Sequence, residues 1–401
     1  MTAYAPITPV ATARPTVGPW QAMWILVGTI AFLILFRDLM FTRWHGDRSI
    51  ADVCQWGRDF ANVWTSGSLT LKGRLDILYD VEAYRAYQLE LFESGMKYHN
   101  YSYPPVTLLY AWFFALLPYP VALLAWLGGT GALFAAAARP YMKNAGLPLW
   151  MAVAAPASLI NLWAGHYGFL IGALWLAGWH HLPRRPVLAG MLIGLMVVKP
   201  HLAVLAPFVL LRRREWKAIA AAAATVILLV GVSAAVFGTD LWVTYLTETT
   251  RLQAAMVDDT DSFFITMMPT VLPSLALLGV SVAAGTVVQI VVGLTALSLL
   301  LWKLPRDSRE AGLATAAATF LVLPYAFSYD MTAAGLGALL LFRRALDDEA
   351  GAGYSFAALG AALVPMIILY TNFFGYPVSP PLIAFQLGAA LRLWPGQTKP
   401  A

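Results

Sequence analysis

Apolar stretches alternate with short polar gaps along the chain from Trp20 to Leu393. A helix of about 20 residues crosses a hydrocarbon core, and shorter ones occur inside bundles. The pattern predicts spans near 20–41, 119–138, 147–161, 166–182, 186–198, 201–212, 216–238, 283–302, 311–327, 331–345, 353–371 and 380–394. That is about 12 transmembrane helices, an all-α polytopic membrane protein with both ends of the chain on one side. Two further apolar stretches, Pro104–Leu117 and Phe263–Leu278, read as helices lying at, or dipping into, the opposite face. Counting either as a span would move Arg184 and Arg185, or Lys303, Arg306 and Arg309, to the outside. Residues 1–19, rich in Pro and without an apolar run, are expected to be a disordered inner tail, and 395–401 an inner tail at the other end. Residues 20–394 form a single domain whose first outer loop covers 42–118.

The charges orient the bundle. Arg139 and Lys143, Arg184 and Arg185, Arg212 to Arg214 with Lys217, Lys303 with Arg306 and Arg309, and Arg343 with Arg344 all fall in gaps on one side. By the positive-inside rule that side is cytoplasmic. The outer gaps beyond the long first loop hold only Lys199 and Arg251, and most of the acidic residues lie outside. The expected location is the inner (plasma) membrane, with polar chemistry facing the periplasm or cell exterior.

Composition agrees. The chain is 60% hydrophobic and 12% charged, against about 25% charged for a soluble domain. Its net charge of +5 sits beside membrane spans, so nucleic acid is not an expected partner. The single Cys54 excludes an intrachain disulfide and a Cys-rich metal site. Trp20–Phe41 is long enough to span and no small-residue cleavage site follows it, so no cleavable signal is expected. There is no glycine-rich phosphate loop for ATP-driven transport, and no fixed-period or inverted repeat.

The outer gaps carry the candidate chemistry. In the first loop, Arg58-Asp59 is flanked by Trp56, Phe60 and Trp64 at helical spacing, which would anchor a short helix in the interface and hold Asp59 over the bundle. A carboxylate so placed can take a proton from a hydroxyl; it could equally pair with Arg58 or cap a helix. Asp80 and Tyr103 follow in the same loop. Asn161 and His166 lie in the next outer gap, Lys199 and His201 in a third, and Tyr325, Tyr329 and Asp330 in a fourth. A membrane-edge charge is costly and hence a functional candidate. Lys199 beside His201 suits a phosphate, although snorkelling of Lys199 to outer headgroups is the plainer alternative. His166 reads equally as a substrate contact or a satisfied polar residue. His99 is structural or touches a sugar. His180 and His181 lie inside with no assigned role, the scattered His give no metal site, and Asp258, Asp259 and Asp261 could bind a cation but read more simply as a solvated acidic loop.

With these motifs in hand, the chain resembles glycosyltransferase family 87, the polyprenyl-phosphate-mannose-dependent mannosyltransferases of GT-C fold. The resemblance rests on Gly57-Arg58-Asp59-Phe60, Leu78-Tyr79-Asp80, Tyr103-Pro104-Pro105, Asn161 to Phe169, Val187-Leu188-Ala189-Gly190 through Lys199-Pro200-His201, and Tyr325 to Asp330. It implies transfer of a hexose, mannose by the resemblance, from a polyprenyl-phosphate carrier to a lipid or glycan acceptor at the outer face, without a cofactor. Asp59 would be the catalytic base. Lys199, His201 and His166 would bind the donor phosphate, and Arg58, Asp80, Tyr103, Asn161, Tyr325, Tyr329 and Asp330 the substrates. Two departures stand out: some members carry a His near Tyr325–Asp330, and a Gln is common where this chain has His166. The alternative functions are a transporter or flippase of lipid-linked sugars, a structural subunit, and ligation of a lipid-linked glycan.

Overall fold

The structure is a computed structural model describing residues 57–92, 100–258, 263–348 and 350–393. The expected span at 20–41, both tails, Cys54, Trp56 and His99 lie outside the described residues. All regular structure among the described residues is helical.

The first outer loop supplies α1 (Phe60–Lys72) and α2 (Val81–Phe92), and Pro105–Thr107 turns into α3 (Leu108–Ala115). The bundle continues with α4 (Tyr119–Asn144), α5 (Pro156–Ala164), α6 (Gly168–His181), α7 (Pro186–Gly194), α8 (Ala206–Arg212) and α9 (Trp216–Phe237). It closes with α10 (Thr239–Asp258), α11 (Val271–Leu277), α12 (Val282–Trp302), α13 (Ser308–Val322), α14 (Thr332–Asp347), α15 (Ala352–Phe373) and α16 (Ser379–Ala390).

Proline decides several starts. α4, α5, α7, α8 and α16 each carry Pro in the first turn, where a missing N–H costs nothing and φ is preset. It also decides breaks. The expected span at 147–161 is split into a single turn, Trp150–Val153, and α5, because Pro156 pushes Ala155 to extended backbone (φ −63°, ψ 149°). The expected loop after 238 is largely the helix α10, which ends at Asp258; Asp259 and Asp261 lie outside the described residues.

Among the described residues, four helices, α4, α9, α12 and α15, are long and apolar enough to cross a membrane unaided. The remaining ones are shorter, many of them interrupted. Only 6% of the most apolar window of α9 is buried. Ile227, Leu228 and Val236 on α9, and Val287, Ile290 and Leu294 on α12, are exposed. A band of bare aliphatic side chains is unfavourable against water and neutral against lipid, so these faces are lipid-facing.

The core is small-residue packing around α13, whose Ala311, Ala314, Ala317 and Ala318 are fully buried. At the crossing of α7 and α9 the two backbones nearly touch: a Cβ on Gly190 would sit 2.1 Å from the carbonyl oxygen of Ala218. Gly231, also on α9, has nothing within 4 Å of where its Cβ would be. Gly190→Ala is therefore expected to destabilise by about 1–3 kcal/mol through overpacking, outweighing the gain in helix propensity of up to about 1 kcal/mol. Gly231→Ala should be neutral or mildly stabilising. Thermal unfolding of the two variants in detergent checks the contrast.

Candidate active site

Three helix breaks and one loop meet at a single end of the bundle. The first break joins α5 to α6, where Gly165 takes the left-handed φ of +70°. The second follows α7, which tightens into a 3-10 turn over Leu195–Val198; Lys199 then leaves helical space (φ −142°, ψ 70°) because Pro200 follows it. The third begins at Leu323, extended ahead of Pro324, and runs through a 3-10 turn at Ser328–Asp330 into α14.

The loop before α1 is clasped to the first break by backbone alone. The Gly57 N–H donates to the carbonyl of Trp163 at 2.8 Å and the Asp59 N–H to that of Ala164 at 2.9 Å. The Tyr119 hydroxyl donates to the Gly57 carbonyl at 2.7 Å. A Cβ on Gly165 would lie 2.9 Å from the Gly57 Cα, so the approach requires glycine. The third break is fastened to the first: Thr332 Oγ1 donates to the Gly168 carbonyl at 2.6 Å, and a Cβ on Gly168 would lie 2.1 Å from the Tyr329 carbonyl oxygen.

At the centre sits a buried ion pair. Lys199 Nζ donates to both carboxylate oxygens of Asp330, at 2.7 and 2.8 Å. Their side chains are 6% and 0% exposed. His166 completes the group, its Nδ1 3.5 Å from Lys199 Nζ and 3.6 Å from Asp330 Oδ1. Its ring stacks on Tyr329 at 4.0 Å, and its Nε2 shares a 2.8 Å hydrogen bond with the Tyr103 hydroxyl. Lys199 therefore does not snorkel: it points inward to a carboxylate on a distant segment. Five of the expected site residues, Tyr103, His166, Lys199, Tyr329 and Asp330, are brought into one contact network.

Asp59 borders this network. It is 7% exposed, has Arg58 Nε 3.6 Å from its Oδ1, and lies within coulombic reach of Lys199, Asp330, Tyr103 and Tyr329. Arg58 is held by the Trp163 ring at 5.0 Å and donates to Met267 Sδ at 3.2 Å. The structure corrects the picture of an interfacial aromatic anchor. Phe60 is fully buried against Phe114, Tyr119 and Trp126, and Trp64 Nε1 donates to the Leu117 carbonyl at 3.0 Å. These rings lock the loop into the protein. The face turned outward is that of α3 and its C-cap, where Trp112, Phe113 and Leu116 are exposed.

Other expected site residues have local engagements. Asp80 is exposed and caps α2, accepting the N–H groups of Glu82 and Ala83 at 3.0 Å each. Asn161 Oδ1 accepts the Gly168 N–H at 3.0 Å, while its buried Nδ2 has no partner among the described residues. His201, two residues after Lys199, has its ring 5.9 Å from that of Tyr325. The loop tyrosines serve as anchors: Tyr79 donates to the Tyr103 carbonyl at 2.7 Å and Tyr84 to Asn62 Oδ1 at 2.9 Å. Sequence reasoning assigned no role to Trp163, Met267, Tyr119 or Thr332, which position Arg58, Gly57 and Gly168. Met267 is 209 residues from Arg58, and no local pattern signals such a contact.

The network is tightly packed. A cavity of about 20 Å³ touches Asp330, on the scale of one water. A cavity of about 480 Å³ lies elsewhere, lined by residues including Asp307, Arg309, Glu310, Arg343 and Arg344. Size favours the latter as a binding site, but its arginines are matched by carboxylates. The buried, convergent groups that mark a chemical centre are at Lys199 and Asp59.

A family model described as Glycosyltransferase family 87 matches residues 101–324, more than half of the chain. The matched region contains Tyr103, Asn161, His166, Lys199 and His201; Asp59 precedes it, and Tyr325, Tyr329 and Asp330 follow it. Comparison with curated proteins and with solved structures returns no match.

The buried pair has a measurable signature. Lys199→Ala or Asp330→Asn leaves the other group buried without its partner, and each is expected to cost about 3–5 kcal/mol. The double replacement Lys199→Met with Asp330→Leu should recover most of that loss. Thermal unfolding of the three variants tests the pair: single variants that melt like the parent would show that it contributes nothing to folding.

Proposed function

The chain belongs to glycosyltransferase family 87, and on that premise we propose that this membrane glycosyltransferase moves a hexose from a polyprenyl-phosphate carrier to a lipid or glycan acceptor, with inversion, at the outer face. Mannose is the preferred hexose on the family resemblance. The observation that carries the reading is the meeting of one carboxylate, Asp59, with one buried ammonium, Lys199, at the same end of the bundle.

In the proposed reaction the acceptor hydroxyl oxygen attacks the anomeric carbon. Its proton passes to Asp59, and the bond from that carbon to the carrier phosphate oxygen breaks with the electron pair staying on the phosphate. A β-linked donor then yields an α-linked product. Only one carboxylate is needed at the acceptor, unlike the paired carboxylates of hydrolysis. The departing phosphate gains negative charge, and a preorganised cation in a site shielded from water stabilises that change strongly. Lys199 supplies it. Two of its three N–H donors are engaged by Asp330, which keeps the ammonium in place before the donor arrives and shares it afterwards. His166, tied to Tyr103, offers a further donor beside it, and Arg58 contributes positive charge on the acceptor side. His201 and Tyr325 border this group, Asn161 shapes the turn beneath it, and Asp80 organises the loop above it.

We read the bundle as a GT-C fold of about 12 spans, with α1, α2 and α3 forming the outer loop. The four long apolar helices and the lipid-facing band support a membrane setting, and the short-loop Lys/Arg asymmetry supports a periplasmic site in the inner membrane. The flippase reading draws on the same buried Lys–Asp pair, since such pairs also carry coupling charge in transporters. Consumption of labelled polyprenyl-phosphate-mannose by the purified protein separates the two: an enzyme releases the carrier phosphate, a flippase leaves the donor intact.

Asp59→Asn is expected to lower transfer by about 10²–10⁴-fold with an unchanged melting temperature. A variant keeping more than about half the activity would place the base elsewhere. For the orientation, a cysteine at exposed Lys72 in a Cys54→Ser background should react with an impermeant thiol reagent from the outer side, and one at Arg184 only from the inner side. The reverse pattern would invert the bundle.

A further inference from the structure

The end of the bundle away from Asp59 and Lys199 holds two cavities of opposite electrical character. α4 begins at the site, where Tyr119 grips Gly57. A rise of about 1.5 Å per residue carries Arg139 and Lys143 roughly 30 Å or more along its axis. α6 also begins at the site and ends at His180 and His181.

The cavity of about 480 Å³ is neutralised from within. Arg309 pairs with Asp307 at 3.6 Å, Arg344 with Glu310 at 3.2 Å, and Arg343 with Asp347. The other, of about 370 Å³, lies between the last turns of α4 and α6. Its ionisable lining is Arg139, Lys143, His180 and His181, without an acidic residue. Neither Arg139 nor Lys143 has a carboxylate within 4.0 Å among the described residues. His180 Nδ1 is buried and has no hydrogen-bond partner among them, and the His180 and His181 rings meet edge to face at 5.0 Å. The helix dipole accounts for Lys143, which sits in the last turn of α4. It does not account for Arg139 a turn earlier.

We propose that this cavity binds the headgroup phosphate of an anionic lipid. Two cations and two imidazoles converge where a phosphodiester would sit, and basic pockets between membrane helices select such headgroups. The volume falls in the range of about 300–1,000 Å³ typical of ligand sites. The lipid source, rather than free phosphate, follows from what adjoins the cavity. Leu133 and Gly129 continue the α4 face of Ala136 and Pro140 at helical spacing and are exposed, so an acyl chain can lie along that apolar stripe while its phosphate meets Arg139 and Lys143. The site is separate from the transfer chemistry and does not depend on it.

The test is binding to the delipidated full-length protein in detergent, read by native mass spectrometry and by thermal shift. The probes are phosphatidylglycerol, phosphatidylcholine and inorganic phosphate. Phosphatidylglycerol is expected to remain bound and raise the melting temperature where phosphatidylcholine does not. Arg139→Gln with Lys143→Gln should weaken that binding roughly tenfold or more, and His180→Gln more modestly, while the charge-preserving Arg139→Lys retains it. Arg343→Gln, at the other cavity, and Asp59→Asn, at the transfer site, should leave it intact, so failure here is distinguishable from failure of the transferase reading. Equal retention of the two lipids overturns the proposal, as does a double variant binding within twofold of the parent. A response to inorganic phosphate equal to that of the lipid assigns the cavity to a free phosphate and overturns the lipid source.

Discussion

The rest of the structure is arranged around a lysine and an aspartate that have both left water. Separating Lys199 and Asp330 from solvent carries a desolvation penalty that their attraction repays only with good geometry and further polar contacts. Both requirements are met here. The carboxylate is gripped through both oxygens, and His166, stacked on Tyr329 and joined to Tyr103, borders the pair. The pair joins segments 131 residues apart, so the approach of two distant breaks is built into the fold.

Those breaks are the second constraint. Irregular backbone at membrane depth is tolerated only where protein or a polar cavity satisfies it. The three interruptions satisfy one another: the Gly168 carbonyl receives Thr332, its N–H is taken by Asn161, and the loop at Gly57 supplies donors to Trp163 and Ala164. Many of the bundle helices are short because the chain repeatedly stops at this level and turns back. A centre made from helix ends brings side chains from three separate breaks to one place, with Tyr329 and Asp330 supplied together by one 3-10 turn.

Much of this was legible in one dimension. The alternation of apolar stretches and polar gaps located most of the helices, and proline marked their ends. The gaps containing Asp59, His166, Lys199 and Asp330 were recognisable as one set because their polar residues shared a side of the charge pattern. The partnerships were not legible. Lys199 reads beside His201, its neighbour but one; the partner it grips is Asp330, 131 residues further on, and no local pattern signals that contact. Phe60 and Trp64 looked like lipid anchors because aromatic spacing is the same on a buried face as on an interfacial one; only the opposing Phe114, Tyr119 and Trp126 distinguish them. Asp80 resembled a site carboxylate until the N–H groups of α2 claimed it. The split of the 147–161 stretch was foreseeable from Pro156, whose effect on the residue before it was outweighed by the hydrophobicity around it.

The glycine clasp at the start of α1 has a consequence for how such a protein can diversify. Asp59 is placed by main-chain atoms of Gly57, Trp163 and Ala164 together with the Tyr119 hydroxyl, not by the side chains of the loop that follows. The length and surface residues of the loop can therefore change while the carboxylate keeps its address. The placement of Asp59 is thus separated from the identity of the loop after it, and the clasp rests on the close approach of two residues without side chains, Gly57 and Gly165.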